Sequence, residues 1–194
     1  MKLKVNDQIP NVKIFHFVDG EPKEQNISEL LGPKKIILFG LPGAFTATCS
    51  KFHLPGYVKN AQQILDKGID KIFCLAVNDP YVMNAWGEAN NIGENITMLA
   101  DPYLSFTKLI GAEVDRNSKG MGMRSSRYAM VIENLQVQNI QEEEETKNCG
   151  ISSRLNFLRN LPKFVIFEFG LFNMLVSTNS VSINIVLNLI ILKI

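Results

Sequence analysis

Ile36-Ile37-Leu38-Phe39-Gly40-Leu41-Pro42-Gly43-Ala44-Phe45-Thr46-Ala47-Thr48-Cys49 is the stretch on which the fold turns. Its first four residues form an unbroken apolar run, the pattern of a buried strand. Residues 50–67, which follow Cys49, read as a helix. The octapeptide Pro42–Cys49 therefore sits at a strand-to-helix turn, with Cys49 near a helix N-terminus. Unpaired backbone N–H groups and the positive end of the helix dipole favour a thiolate at such a place. A free cysteine is ordinarily an inert core residue. Here three features argue for chemistry instead. Cys49 lies at a loop-to-helix junction, not on an apolar strand face. Thr46, three residues earlier, can face the same pocket. Pro42 stiffens the loop and withholds a donor.

The bulk properties bound the rest. A chain of 194 residues, 46% of them apolar, suits one domain with a proper core. Twenty basic and nineteen acidic residues nearly cancel, which argues against a nucleic-acid surface. The three cysteines and two histidines, Cys49, Cys74, Cys149, His16 and His53, show no metal-ligand spacing, so no metal and no cofactor are expected. A sparse, odd cysteine set points to a reducing compartment, not a secreted disulfide framework. Residues 1–14 contain no apolar stretch of signal-peptide length. The expected location is cytoplasmic, or an organelle if further sequence precedes residue 1.

Outward from the decisive stretch, strands are expected over 12–18, 36–40, 69–77 and 97–100. Ser28 is expected to cap a short helix that ends at Gly32-Pro33. Pro55 should kink the helix after Cys49. Asp79-Pro80 opens a helix running to about residue 90. A helix over 104–110 ends at Gly111. Residues 127–133 and 135–140 read as a hairpin around Glu133-Asn134, and Glu142 to Glu145 as a solvated loop. Ile151, Leu155, Leu158 and Leu161 have helical spacing. Early alternation of strand and helix with a late hairpin gives an α/β fold with a mixed sheet. After Leu161 the character changes. No residue from Phe169 to Leu192 is charged, yet asparagine, serine and threonine interrupt the run, a poor pattern for a membrane span. The expected organisation is one domain over 1–160 and an atypical apolar, asparagine-rich tail over 161–194.

Pro42-Gly43-Ala44-Phe45-Thr46-Ala47-Thr48-Cys49 resembles the peroxiredoxin motif Pro-x-x-x-Thr-x-x-Cys. Its extension through Ser50, with His53-Leu54-Pro55-Gly56-Tyr57-Val58 beyond, is similar to the type II (atypical two-cysteine, "fifth") subfamily, in its plant-like form. Val77-Asn78-Asp79-Pro80-Tyr81-Val82-Met83 with Ala85-Trp86, then Leu99-Ala100-Asp101-Pro102, then Gly122 to Met130 resemble further segments of that subfamily in the same order. The resemblance spans residues 3–160. It implies a thioredoxin-like fold, a mixed central sheet flanked by helices. It also implies a thiol-dependent peroxidase that reduces hydrogen peroxide and alkyl hydroperoxides in antioxidant defence and redox homeostasis. A peroxide sensor or holdase on the same fold is the alternative.

For that chemistry the site needs a thiolate, a cation and hydrogen bonds to the developing oxygen charge. Cys49 supplies the nucleophile, the Thr46 hydroxyl a donor or acceptor, Pro42 the loop's stiffness and Gly43 with its neighbours backbone N–H groups. Arg127, which precedes Tyr128, matches the family's catalytic arginine, and Arg124 is the candidate to assist it. Attack leaves a sulfenic acid that a thiol must reduce. Cys74 reads as a buried strand residue, yet plant-like members carry a second cysteine at the matching place, so it is the candidate resolver. Cys149 lies near the resolver of animal members, in flanks unlike theirs. Glutathione, glutaredoxin or thioredoxin is the expected reductant. A homodimer through the face near the active loop is implied by resemblance alone. His53 follows Cys49 by four residues, which can place it on the same helix face, and Trp86 is read as a packing residue.

Overall fold

The computed structural model describes residues 1–144 and 150, together with the backbone of three strands, 164–169, 172–177 and 185–186. Cys149 and the helical spacing at 151–161 lie outside the described residues. By its contacts the chain divides into two units, Met1–Phe157 and Leu158–Ile194.

The first unit is built on a seven-stranded sheet. Its strands are β1 (Lys13–Val18), β2 (Glu21–Asn26), β3 (Lys35–Leu41), β4 (Lys71–Ala76), β5 (Ile96–Ala100), β8 (Tyr128–Glu133) and β9 (Gln136–Glu142), in the order β2-β1-β5-β4-β3-β8-β9. A separate two-stranded hairpin joins β6 (Glu113–Asp115) to β7 (Met123–Ser125). The central trio β3, β4 and β5 is parallel, with Phe39 beside Cys74 and Cys74 beside Met98. β1 and β8 flank the trio antiparallel. Among the described residues the α-helices are α1 (Ile27–Leu31), α2 (Leu54–Leu65), α3 (Pro80–Ala89) and α4 (Ser105–Leu109).

Parallel strands need cover on both faces, and the alternation in β3 and β4 supplies it. Ile36, Leu38, Phe73 and Leu75 join Leu99, Tyr128 and Met130 in one core with Ile27 and Leu31 of α1 and Phe106 of α4. The other parity carries Phe39, whose ring stacks on Tyr57 of α2 at 3.9 Å and meets His53 edge-on at 5.2 Å. Cys74 shares that parity and is fully buried. Gly40 has no room for a side chain, since a Cβ would fall on the Tyr128 ring.

Several details differ from the sequence expectation. α1 is capped at Asn26, not Ser28; the Ser28 hydroxyl instead donates to Asn11 Oδ1 at 2.6 Å. The irregularity expected at Pro55 takes the form of a π-helical turn. Pro55 lies two residues past that turn, which covers Cys49–His53 and runs on into α2, and the irregularity sits where the proline's missing N–H breaks the helical bonding. The late hairpin turns at Asn134-Leu135, both at positive φ, one residue beyond the expected place. Glu142 and Glu143 are not a solvated loop. Glu142 ends β9 and accepts from Ser126 Oγ at 2.6 Å, and Glu143 is buried. The second unit contains β10 (Phe164–Phe169), β11 (Phe172–Ser177) and β12 (Ile185–Val186), an antiparallel sheet where no elements were expected. Among the described residues no helix is long and apolar enough to cross a membrane.

Candidate active site

The loop after β3 is shaped by a few local bonds. The Thr46 hydroxyl donates to the Gly43 carbonyl at 2.9 Å, closing a tight turn in which Phe45 takes a left-handed backbone (φ 59°). The Ser50 N–H donates to the Thr46 carbonyl at 2.9 Å and starts the helix. Two elements distant in sequence hold the loop. Asn78, just past β4, accepts the Ala44 N–H on Oδ1 at 3.0 Å. Trp86 of α3 donates from Nε1 to Ser50 Oγ at 3.0 Å, a tie as well as packing. Gly43 is hemmed in: a Cβ there would lie 3.2 Å from Arg124 Nη1 and 3.3 Å from Asn78 Oδ1.

Cys49 opens the π-helical turn and is buried. Arg127, immediately before β8, donates from Nη2 to Cys49 Sγ at 3.4 Å. Its Nη1 lies 2.7 Å from His53 Nδ1, which accepts, so the proton of a neutral His53 ring resides on Nε2. The guanidinium stays charged although only 1% of Arg127 is exposed. A cleft of about 210 Å³ opens here, lined from the active loop by Pro42, Thr46, Ala47 and Thr48 and from across by Arg127. Arg116, Lys119 and Met121, in the connection between β6 and β7, complete it.

The expected residues therefore divide. Pro42, Thr46 and Arg127 meet at one cleft, and Arg127 touches Cys49. Arg124 and Gly43 are close to each other, but Arg124 braces the loop from beside it. Its Nη1 donates to the Val77 carbonyl at 2.7 Å and its Nε to the Met121 carbonyl at 2.8 Å, and it does not line the cleft. Cys74 and Cys49 are both free thiols. Burial pushes the Cys74 thiol well above its ordinary range, the charge at Cys49 adds to that, and Arg127 opposes it. Sequence reasoning missed Asn78, Arg116 and Lys119. Asn78 lay inside a quoted motif, but only the fold shows its bond to the loop. Among the described residues no cluster of side chains could hold a metal ion.

A buried arginine bonded to a cysteine sulfur, at the end of a central parallel strand in a mixed sheet, defines a thioredoxin-like thiol enzyme. The redoxin family profile matches residues 4–156, and the chain belongs to that family as a type II peroxiredoxin. It is 44% identical over 159 residues to peroxiredoxin-2C of Oryza sativa subsp. japonica, covering 81% of this chain and 97% of that one. Reduced Prx3 of Vibrio vulnificus in complex with hydrogen peroxide is 41% identical and superposes with a TM-score of 0.75, over 80% of this chain and 96% of that one. The 1-Cys peroxiredoxin called antioxidant protein, from Plasmodium falciparum, is 32% identical with a TM-score of 0.74, over 81% and 97%. The protein is thus a thiol-dependent peroxidase of antioxidant defence, and the sensor or holdase alternative is not favoured.

Proposed function

We propose that Cys49 is the sulfur that attacks the peroxide and that Arg127 steadies the charge on that sulfur and on the leaving oxygen. The observation that carries this is the 3.4 Å contact to Cys49 Sγ from Nη2 of Arg127, which also lines the cleft. The thiolate attacks the terminal oxygen of R–O–O–H, and a new S–O bond forms as the O–O bond breaks. Two electrons pass from sulfur, Cys49 becomes a sulfenic acid, and RO⁻ takes a proton and leaves as an alcohol or water. Thr46 has committed its one hydroxyl hydrogen to Gly43, so its oxygen orients the peroxide as an acceptor. Pro42 and Gly43 hold the loop's shape, with Arg124 as a brace.

An external thiol then resolves the sulfenic acid. Its sulfur displaces hydroxide, which leaves as water, and a second thiol releases Cys49 as the thiolate with a disulfide as co-product. Glutathione, glutaredoxin and thioredoxin are the candidate reductants. The burial of Cys74 and its raised thiol favour this cycle over an internal disulfide, and so does the likeness to a protein named for a 1-Cys cycle. The exposed rings of Phe45 (59%) and Phe52 (63%) beside the site fit a homodimer through that face. The domain that performs this work is residues 1–160, acting in the cytoplasm or another reducing compartment.

Intact mass after one equivalent of peroxide, without added thiol, tests the cycle. The expected product is a sulfenic acid or its trapped adduct at Cys49. A loss of two hydrogens, abolished by Cys74→Ser, would make Cys74 the resolver.

A further inference from the structure

The connection between β6 and β7 carries two cations to the cleft that the reaction at Cys49 does not use. Arg116 and Lys119 line it together with Met121, and none of the described residues that line it is acidic. Among the described residues neither cation forms an ion pair or a side-chain hydrogen bond. Arg116 is half-buried, and its Nε is shielded from solvent without a partner. A shielded N–H donor left unmatched is costly unless something completes it.

The segment that presents these cations is well fixed. The Arg116 N–H donates to the Gly122 carbonyl at 2.9 Å, and the Arg116 carbonyl accepts from Lys119 and Met121 at 2.9 and 3.2 Å. A 3₁₀ turn over Asn117–Lys119 and left-handed glycines at 120 and 122 shape it. Arg124 ties its base to the Val77 carbonyl beside the active loop. The cleft is also larger than hydrogen peroxide requires, so an organic group has room in it.

We propose that Arg116 and Lys119 form a carboxylate-binding subsite in the cleft they share with Arg127, the partner of Cys49, selecting acidic molecules among those that reach the sulfur. The guanidinium of Arg116 matches a carboxylate with two parallel hydrogen bonds, and Lys119 adds a point charge. The carboxylate has two sources, an organic hydroperoxide in the first half of the cycle or a small thiol in the second. The subsite rests on the assignment of Cys49 as the attacking sulfur.

Paired ligands test it, each pair differing in a carboxylate. In the first arm 4-hydroperoxy-4-methylpentanoate is compared with tert-butyl hydroperoxide for the rate of Cys49 oxidation. In the second, 3-mercaptopropionate is compared with 2-mercaptoethanol for the rate of sulfenic acid resolution. The readout is the acidic-to-neutral rate ratio in wild type, Arg116→Gln, Lys119→Glu and the remote control Lys13→Gln. In at least one arm, Arg116→Gln and Lys119→Glu should each lower the ratio about fivefold, the scale of one well-placed exposed charge pair. Added salt should lower it in wild type, and Lys13→Gln should leave it as in wild type. The arm that responds names the source. Ratios that stay at the wild-type value in both arms, in both variants, would overturn the subsite. Failure of the Cys49 assignment looks different: Cys49→Ser would then oxidise with tert-butyl hydroperoxide as fast as wild type.

Discussion

Arg127 holds a permanent charge almost out of reach of water, a placement that is stable only with matched partners. His53 Nδ1 and Cys49 Sγ are two of them, so the charge is fixed against the sulfur that the proposed reaction makes negative. Replacing it removes a preorganised charged donor. Arg127→Gln should slow peroxide reduction roughly a hundredfold or more, measured by stopped flow. An unchanged rate in this variant, with a loss in Arg124→Gln, would transfer the role to Arg124. Both arginines were visible in the sequence, and resemblance ranked Arg127 first. What separates them is register. Arg124, paired with Val114 in the small hairpin, meets the Val77 carbonyl, whereas Arg127 meets Cys49. His53 stood four residues from Cys49 and was read only against that neighbour. Its partnership with Arg127, 74 positions away, is a property of the fold.

Among the elements, the buried strands were the most legible, because continuous apolar runs have few other meanings. β2, Glu21-Pro22-Lys23-Glu24-Gln25-Asn26, was missed because it is a polar edge strand that, among the described residues, pairs with β1 alone. β6 and β7 are three residues each, too short for any period to register. α4 shows how a short helix is made to hold. Asp101 is buried and accepts the Phe106 N–H at 3.3 Å and both the N–H and hydroxyl of Thr107 at 2.8 Å. Asp101→Ala would strand these donors and should cost about 1–3 kcal/mol of stability in urea unfolding. A loss near zero would show that water replaces the carboxylate. The β1–β2 hairpin carries a pH dependence. His16 sits near Gln25 across the pair at 3.2 Å, and its pKa is lowered from 6.5, chiefly by burial, with Lys23 adding to the effect. The folded protein therefore disfavours the imidazolium. The His16 contribution is fully present above pH 6.5 and is lost as the pH falls through the lower folded value. The melting temperature should drop over that window, and His16→Gln should flatten that part of the profile. Equal slopes in the two proteins would remove His16 as the cause.

At the scale of the molecule, the parallel trio explains why the site lies where it does. β3, β4 and β5 all deliver their carboxyl ends to one edge, where open α/β sheets bind ligands. The active loop leaves β3, and past the end of β4 Asn78 holds it through a side-chain oxygen while the Val77 carbonyl holds Arg124. Arg127 arrives from the antiparallel neighbour β8, paired to β3 through Gly40 and Tyr128. The order of elements was enough to expect a mixed α/β sheet. The strand order was not legible, since it depends on which edges meet after the chain crosses over. The most direct test of the central claim is peroxide consumption in a single turnover, with Trp86, the lone tryptophan, as a fluorescent reporter beside Ser50. Wild type and Cys74→Ser should consume one equivalent of hydrogen peroxide in a second-order phase matched by a Trp86 signal, and Cys49→Ser should show neither. Consumption by Cys49→Ser at the wild-type rate would contradict the assignment of the attacking sulfur.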